Sequence, residues 1–213
     1  MTAQVTVIDY GIGNLYSVSR AFEHAGTSVV LSADPAVIEN SPHLVLPGVG
    51  AFEDGMRGLR DRNLVEPIKR YAATGRPLLG ICLGMQMLAS VSEEFGEHQG
   101  LGLIAGKVVA VPRTTTMGER HKIPHIGWSP LSPSAGADWK GSFLEDTAPG
   151  TPAYLVHSFH LIPDDPKHLL ADCFYGGHRL TAAVCAGKVF GAQFHPEKSG
   201  AAGLRMLAAF LRL

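Results

Sequence analysis

The sequence predicts an α/β fold in which a mostly parallel central sheet is flanked by helices and carries an antiparallel extension. In the first half of the chain, strand-length apolar runs alternate with helical patterns, whereas the second half has strands with few helices between them. Hydrophobic residues make up 46% of the chain and charged residues 17%, which favours a well-buried globular protein over a disordered one. Since neither an internal repeat nor a linker interrupts the sequence, residues 1–213 are expected to form one domain.

Four apolar runs of the first half have the length of buried strands, namely QVTVID, SVVLS, HLVLP and RPLLGIC. Between the first two runs, Leu15, Val18 and Phe22 recur at helical spacing, and Gly26 marks a helix end. The segment from Asn63 to Ala73 is predicted to be a second crossover helix. Strands that alternate with helices in this way form a mostly parallel sheet that is covered on both faces.

Four further apolar runs follow in the second half, GKVVAVP, TPAYLVHSF, LTAAVCAG and KVFGAQF. They predict strands that extend the sheet in antiparallel fashion. The stretch from Pro112 to Pro149 is rich in Pro, Ser, Thr and Gly, so we expect it to be a long surface excursion. Leu204, Leu207 and Leu211 lie on one stripe of a final helix that closes the chain.

The composition argues against nucleic acid, an anionic membrane and secretion. The formal net charge is −1, so no electrostatic attraction to a polyanion is expected. No apolar stretch approaches the roughly 20 residues needed to cross a bilayer, and the N-terminus, MTAQVTVIDYG, lacks the basic region of a secretory signal. The chain is therefore expected to be soluble and cytoplasmic, with neither nucleic acid nor a membrane as partner.

No metal or cofactor site is predicted. Cys82, Cys173 and Cys185 show no CxxC spacing and are odd in number, which fits neither a disulfide framework nor a zinc site. The ten histidines include no HExxH pair. A dinucleotide-binding fingerprint that begins at Gly11 would need a third glycine where the chain has Tyr16, so we reject that interpretation.

The sharpest local feature is Gly80-Ile81-Cys82-Leu83-Gly84, which follows an apolar strand and opens a helical pattern. This is the layout of a nucleophile elbow, with cysteine in the place usually held by serine. At the start of a helix, unpaired N–H groups and the helix dipole favour a thiolate. A small buried cysteine at a strand end is an equally good interpretation of the pentapeptide alone.

A candidate base and its orienting carboxylate, His195 and Glu197, lie at the end of the apolar strand KVFGAQF. Pro196 is expected to hold His195 in extended geometry, so that His195 and Glu197 project together. A carboxylate beside an imidazole orients the ring and stabilises its charged form, while the other ring nitrogen serves the nucleophile. An isolated surface turn is the alternative, but two such motifs at strand ends of one α/β sheet favour a joint site.

The loop Leu46-Pro47-Gly48-Val49-Gly50, again just after a strand, is a candidate oxyanion hole. Acyl transfer needs backbone N–H donors that face the developing oxyanion. The N–H of Leu83 can supply one donor, and the Gly48–Val49 peptide can supply the other because glycine allows it to reorient. Taken alone, the loop is more typical of an ordinary βα turn.

The blocks GICLGMQ, PGVG and QFHPE together resemble the class I (triad) glutamine amidotransferases, a family with a flavodoxin-like α/β fold. Further blocks are similar to those of the glutaminase subunits of imidazole glycerol phosphate synthases, an enzyme family of histidine biosynthesis. These are VIDYGIGNLYSV at the start, KIPHIGW at 122–128, VHSF at 156–159 and FHPEKSG at 194–200. The resemblance extends from residue 6 to near the C-terminus.

The resemblance implies that the chain hydrolyses glutamine to glutamate and ammonia without a cofactor. Cys82 would attack the side-chain amide, His195 would protonate the departing ammonia, and Glu197 would orient His195. The substrate would be held by Gln86 and the Gly48–Gly50 loop. In the VHSF block, His157 and Ser158 are further candidates for substrate contacts, although His157 is equally compatible with a role in the core.

The resemblance also implies a partner, a (β/α)₈-barrel cyclase subunit that forms a heterodimer with this chain and receives the ammonia. Positions that match Asn14, Trp128 and Lys198 face the barrel in the family. Two departures bear on these expectations. Ser129-Pro130 replaces the Asn expected after GW, and Phe159-His160 replaces the last two residues of HSYY.

Two other hypotheses compete with this interpretation. One is a related glutaminase subunit, such as that of pyridoxal-phosphate synthesis, against which KIPHIGW and DYGIGN count. The other is a non-catalytic binding protein that kept the fold. A glutamine-mimicking electrophile that labels Cys82 would distinguish an enzyme from such a binding protein.

Overall fold

The structure, a computed structural model, describes residues 4–213. Its strands are β1 Gln4–Ile8, β2 Ser28–Ser32, β3 His43–Leu46, β4 Leu78–Ile81, β5 Ala89–Ser92, β6 His98–Gln99, β7 Ile104–Ala110, β8 His125–Pro130, β9 Ser132–Pro133, β10 Pro152–His157, β11 Phe159–Pro163, β12 Leu169–Tyr175, β13 His178–Ala186 and β14 Val189–Ala192. Its α-helices are α1 Leu15–His24, α2 Pro35–Asn40, α3 Phe52–Asp61, α4 Val65–Ala73, α5 Leu83–Met87 and α6 Gly200–Phe210. Short 3₁₀ turns span Pro166–His168 and Pro196–Lys198.

The central sheet has eight strands in the order β2-β1-β3-β4-β14-β13-β12-β9. The first five are mutually parallel, and β13, β12 and β9 continue the sheet in antiparallel fashion. Along β3, Val45 packs into one apolar cluster while Leu44 and Leu46 pack into another. Both faces of the parallel part are therefore covered, which explains why its strands are continuously apolar. The predicted α/β class with an antiparallel extension is confirmed.

Two of the runs predicted to extend this sheet lie elsewhere. GKVVAVP forms β7, which pairs with β11 and β5 in a separate four-stranded sheet. TPAYLVHSF divides between β11 and β10, and β10 pairs only with β8 in a two-stranded sheet. The extension prediction was wrong for these strands because pairing between distant strands is set by tertiary packing, which an apolar run does not specify.

The predicted second crossover helix, Asn63 to Ala73, is confirmed as α4, but it is preceded by α3, a helix that was not predicted from the sequence. Asn63 has φ 55, a left-handed conformation that cannot begin a helix, so α4 starts at Val65. Before it, α3 contains Gly55 and Gly58, which weaken its helical signal in the sequence. These glycines permit close packing, since a Cβ at Gly55 would lie 2.7 Å from the sulfur of Met87.

The stretch from 112 to 149 is not the surface excursion that was predicted. It contains β8 and β9, and Trp139, Phe143 and Leu144 are buried in the core cluster that covers one face of the sheet. The indole N–H of Trp139 donates to the carbonyl of Leu170 at 2.9 Å, which satisfies its polar group inside the protein. The segment therefore supplies part of the core.

The two terminal helices follow their predictions. α1 buries Val18 and Phe22, and α6 buries Leu207, with Leu204 and Leu211 partly buried against the same cluster. Within residues 4–213, none of the helices combines the length and the apolar character that a membrane span requires. The described part of the chain also contains no group of three or more His, Cys, Asp or Glu side chains arranged to hold a metal ion.

Candidate active site

Cys82 stands at the sharp turn between the end of β4 and the start of α5. Its backbone has φ 55 and ψ −111, a conformation that L-residues rarely adopt and that is typical of strained functional positions. The N–H of Cys82 donates to the carbonyl of Ala192 at 2.7 Å, which ties the turn to the neighbouring strand β14. The thiol is thus held at the carboxyl end of the parallel sheet, where ligands bind in open α/β sheets.

The two glycines that flank Cys82 are required by close backbone contacts. A Cβ on Gly84 would lie 1.8 Å from the carbonyl oxygen of Leu46, and one on Gly80 would lie 2.7 Å from backbone atoms of Gly84. Both distances are too short for any side chain. The elbow therefore packs directly against the end of β3, from which the Gly48–Gly50 loop continues.

His195 and Glu197 follow β14, the strand beside β4, so the sheet brings them to the same edge as Cys82. Nδ1 of His195 donates to Oε1 of Glu197 at 2.8 Å, and both side chains are almost completely buried. The reason that His195 and Glu197 meet differs from the one predicted. His195 is extended, but Pro196–Lys198 form a 3₁₀ turn, and this turn rather than a continued strand brings the carboxylate back to the ring.

The electrostatics of His195 favour its charged form. Burial lowers the pKa of His195, but the sulfur of Cys82 and the carboxylate of Glu197 outweigh burial and raise that pKa above its ordinary value. Nε2 of His195 is buried and has no hydrogen-bond partner among the described residues. It is therefore available to the sulfur and to a substrate.

Two glutamines organise the other side of the thiol. Nε2 of Gln193 donates to the sulfur of Cys82 at 3.8 Å, and Oε1 of Gln193 accepts from Nε2 of Gln86 at 3.0 Å. Gln86 also donates to the carbonyl of Phe159 at 2.9 Å. Gln193 was not singled out in the sequence because its contacts are with residues more than 100 positions away.

A cavity of about 270 Å³ opens beside the thiol. Of the residues predicted for the site, its walls contain Val49, Gly50, Cys82, Leu83, Gln86, His157, Ser158 and His195. Gly48 and Glu197 do not line it. A Cβ on Gly48 would lie 2.7 Å from the hydroxyl of Tyr10, so this glycine is packed behind the wall, and Glu197 lies behind His195. The walls also contain four residues that were not predicted from the sequence, Glu94, Pro124, Val156 and Phe159.

Glu94 is the carboxylate among the residues that line the cavity. Burial raises its pKa, and the N–H of Phe52 partly offsets this by donating to Oε2 at 2.6 Å. The fixed carboxylate gives the cavity an acceptor for an ammonium group. No local pattern in the sequence distinguishes Glu94 from the neighbouring surface acids.

The loop after β3 has the glycine content and the exposure that suit an oxyanion hole with a movable peptide. Gly50 has φ +94, in the left-handed region that favours glycine, and the side chain of Val49 is exposed. The N–H of Leu83 belongs to the first turn of α5, where helix donors have no intrahelical partner. Val49 and Leu83 both line the cavity, so their N–H groups are candidates for the same oxyanion.

Of the residues predicted to face a partner, Trp128 and Lys198 lie near each other. Both are exposed, the Trp128 and Tyr154 ring centroids are 6.0 Å apart, and Nζ of Lys198 lies 6.0 Å from the Tyr154 ring centroid. Asn14 has a local role, because its side chain accepts from the N–H of Ser17 and caps α1. Tyr154 was not singled out in the sequence.

The other two thiols have environments that oppose ionisation. All three cysteines are free. Burial raises the pKa of Cys173 to about 12 and also raises the pKa of Cys185. Only Cys82 combines a thiol with an adjacent imidazole and a cavity.

We expect the Glu197→Gln substitution to lower kcat at least about 100-fold with little change in stability, because an amide neither fixes the tautomer nor stabilises the imidazolium of His195. Removing the carboxylate also removes a group that raises the pKa of His195, so that pKa should fall. Histidine NMR titration of both proteins measures this change. An unchanged pKa of His195 and an unchanged kcat would show that Glu197 does not act on the ring.

This chain is similar to known proteins over nearly its whole length. Residues 6–213 match the family described as glutamine amidotransferase class-I. Imidazole glycerol phosphate synthase subunit HisH 1 of Legionella pneumophila (strain Lens) is 51% identical over 212 residues, which cover 99% of this chain and 100% of the relative. The HisH subunit of Sulfurimonas denitrificans is 45% identical over 208 residues, which cover 98% and 97%.

Among solved structures, a chain described as PurLQS from Thermotoga maritima has a TM-score of 0.74 at 19% identity and covers 100% of this chain and 99% of its own. At this identity the likeness concerns the fold alone. The family match and the HisH relatives carry the assignment over the full chain. The chain therefore belongs to the glutamine amidotransferase class-I family and, within it, to the HisH group.

Proposed function

We propose that this chain hydrolyses glutamine to glutamate and ammonia and delivers the ammonia to a (β/α)₈-barrel cyclase subunit. The pair would form imidazole glycerol phosphate and aminoimidazole carboxamide ribotide in histidine biosynthesis. The observation that carries the proposal is the buried His195–Glu197 pair beside Cys82, at an elbow that opens onto a cavity. Relatives that are 45–51% identical over nearly the whole chain are named as HisH subunits of imidazole glycerol phosphate synthase, which supports the specific assignment.

In the first half-reaction, the sulfur of Cys82 attacks the side-chain carbonyl carbon of glutamine. The negative charge develops on the carbonyl oxygen, where the N–H groups of Leu83 and of the Gly48–Val49 peptide are the proposed donors. His195 then gives its Nε2 proton to the departing nitrogen, the C–N bond breaks, and ammonia leaves. The product is a thioester between Cys82 and the glutamyl group.

In the second half-reaction, His195 is neutral and accepts a proton from water as that water attacks the thioester carbon. The C–S bond breaks, glutamate is released, and the thiolate and imidazolium are restored. Glu197 keeps Nδ1 of His195 protonated throughout, because its carboxylate accepts from that nitrogen. Each turnover therefore consumes one glutamine and one water and returns the enzyme unchanged.

The cavity suits the amino-acid part of glutamine. The Glu94 carboxylate faces the α-ammonium group in our proposal, because charge-assisted hydrogen bonds are roughly twice as strong as those between neutral groups. Gln86, His157 and Ser158 complete the proposed contacts. This assignment predicts that shortened analogues without an α-amino group bind poorly.

A comparison of nitrogen donors tests the proposed function. The purified chain is mixed with a barrel cyclase and its ribulosyl-formimino substrate, and product formation is measured with glutamine or with ammonium salt. We expect glutamine to serve only when this chain is present, whereas ammonium serves the cyclase alone. Product formation from ammonium but not from glutamine, in a complex shown to assemble, would overturn the proposal.

Replacing Trp128 by alanine is expected to weaken assembly with the cyclase about tenfold or more, because large aromatic anchors dominate interface energies. Trp128 is 55% exposed, an unusual state for tryptophan without a partner. Phe174→Ala is the matched control, since Phe174 is 54% exposed on β12, a strand of the central sheet. Titration calorimetry measures both affinities. Equal weakening by the two substitutions would place the interface elsewhere.

A further inference from the structure

A series of buried hydrogen bonds lies behind the cavity and begins at Ser129. Oγ of Ser129 is 2.9 Å from Nε2 of His125, and Nδ1 of His125 is 3.0 Å from Nε2 of His157. Nδ1 of His157 is in turn 2.9 Å from the carbonyl oxygen of Phe159. The residues Ser129, His125 and His157, whose side chains form these hydrogen bonds, are each at most 7% exposed.

The direction of each hydrogen bond follows from the carbonyl at its end. The oxygen of Phe159 can only accept, so Nδ1 of His157 must carry a proton. In a neutral His157, Nε2 is then an acceptor, and Nδ1 of His125 must donate to it. Nε2 of a neutral His125 is bare in consequence and accepts from the hydroxyl of Ser129. One tautomer of each ring satisfies all three contacts.

The surroundings keep both rings neutral. No carboxylate is hydrogen-bonded or ion-paired to either imidazole among the described residues. The titratable groups that face His157 are the imidazoles of His125, His160 and His195, and His121 faces His125. Burial and these neighbours lower the pKa of both rings, that of His157 to about 3. A second cation beside the imidazolium of His195 is thereby avoided.

The series of hydrogen bonds continues to the nucleophile through Gln86 and Gln193. The carbonyl of Phe159 also accepts from Nε2 of Gln86, which donates in addition to Oε1 of Gln193. Nε2 of Gln193 donates to the sulfur of Cys82. The position of Phe159 therefore sets the position of both amides, and the amide of Gln193 touches the reacting sulfur.

We propose that Ser129, His125 and His157 form a positioning relay, which holds the Phe159 carbonyl and thereby sets Gln86 and Gln193 against the sulfur of Cys82. The relay acts on the glutamine hydrolysis proposed above and rests on it. It gives a role to Ser129, one of the residues at which this chain departs from the resemblance described above. It also assigns His157 a neutral donor role at the back of the cavity.

The tautomers provide a test that needs no catalysis. In ¹⁵N-histidine NMR spectra of the full chain, His125 and His157 should both be neutral and protonated at Nδ1 between pH 6 and 8. Spectra of His125→Asn and His157→Asn assign the two signals. Protonation of His157 at Nε2, or a charged ring in this range, would overturn the relay whether or not the chain hydrolyses glutamine.

A pair of substitutions at His125 tests whether the relay acts on the sulfur. Phenylalanine keeps the ring that stacks on Tyr175, with centroids 4.2 Å apart, but removes the donor. Asparagine can present an N–H near the position of Nδ1. In the complex with the cyclase, we expect His125→Phe to lower kcat/KM for glutamine about tenfold or more and to slow alkylation of Cys82 by iodoacetamide. His125→Asn should recover most of both losses.

The matched control is His160→Phe, which changes a buried histidine on β11 whose ring accepts from the N–H of Thr181 and makes no hydrogen bond with Ser129, His125 or His157. Thermal unfolding of all variants measures their structural cost. We expect this control to alkylate at the rate of the unmodified protein. Equal losses in the Phe and Asn variants of His125, or an equal loss in the control, would show that the donor has no positioning role.

Discussion

The Cys82→Ala substitution is expected to abolish glutamine-dependent product formation by the complex, a loss of about 10⁴-fold or more, as for removal of a nucleophile from other triads. Ammonium-dependent turnover by the cyclase should remain within about twofold, because that reaction bypasses the glutaminase site. The physical reason is that the sulfur of Cys82 is the group that forms the thioester, and no neighbouring thiol can replace it. Assays with the two nitrogen donors measure both quantities on the same preparation.

Two further variants make the result specific to the sulfur. Cys82→Ser keeps the size of the side chain but offers a poorer nucleophile, so it should also be nearly inactive with glutamine. Cys185→Ala is the matched control, because Cys185 is a second thiol outside the cavity whose pKa is raised by burial. It should retain full activity. Loss of both the glutamine and the ammonium reactions in folded, assembled Cys82→Ala protein would contradict the assignment.

Alkylation should likewise distinguish Cys82 from the other two cysteines. A glutamine-mimicking electrophile should label Cys82 and leave Cys173 and Cys185 unmodified, since burial raises the pKa of both of these thiols. Glutamine present in excess should protect Cys82. This outcome separates an enzyme from a binding protein that kept the fold.

The central sheet could be predicted from the sequence because its parallel strands are buried on both faces. Strands β1, β3, β4 and β14 appear as continuous apolar runs bounded by turn residues. The segment around Trp139 and Phe143 could not be predicted in this way. Its composition is typical of loops, and only contacts with distant residues such as Leu170 bury its aromatic side chains.

In the site, too, residues within local motifs could be predicted, whereas residues placed by distant contacts could not. Cys82 and His195 could be proposed from the sequence because each lies within a short motif at a strand end, and parallel neighbouring strands bring such ends together. Gln193 and His125 lie within the blocks QFHPE and KIPHIGW, but no local pattern assigned a role to them or to Glu94. Their roles arise from hydrogen bonds between residues that are distant in sequence, and these contacts exist only after the sheets have packed.

Replacing Gly84 by alanine should be the most damaging single-methyl change in the elbow. Its Cβ would lie 1.8 Å from the carbonyl oxygen of Leu46, a backbone atom that cannot rotate away as a side chain can. Either β3 or α5 must shift, and we expect a loss of at least about 4 kcal/mol in the free energy of unfolding, beyond the range of ordinary overpacking. Since domains are stable by only about 5–15 kcal/mol, much of the protein should be unfolded or aggregated. Urea denaturation measures the loss.

Gly26→Ala separates this steric effect from the cost of backbone conformation. Gly26 has φ +91, but a Cβ there would meet no atom within 4 Å, so the expected cost is only about 1–2 kcal/mol of strain. A Gly84→Ala protein that is as stable as Gly26→Ala would show that the elbow can move away from β3. In that case the contact between Gly84 and Leu46 would not determine the position of the Cys82 thiol. Packing at this contact would also not be enough to hold the Gly48–Gly50 loop beside the thiol. A large loss confined to Gly84→Ala would instead show that one contact supports both the nucleophile and the proposed oxyanion donors.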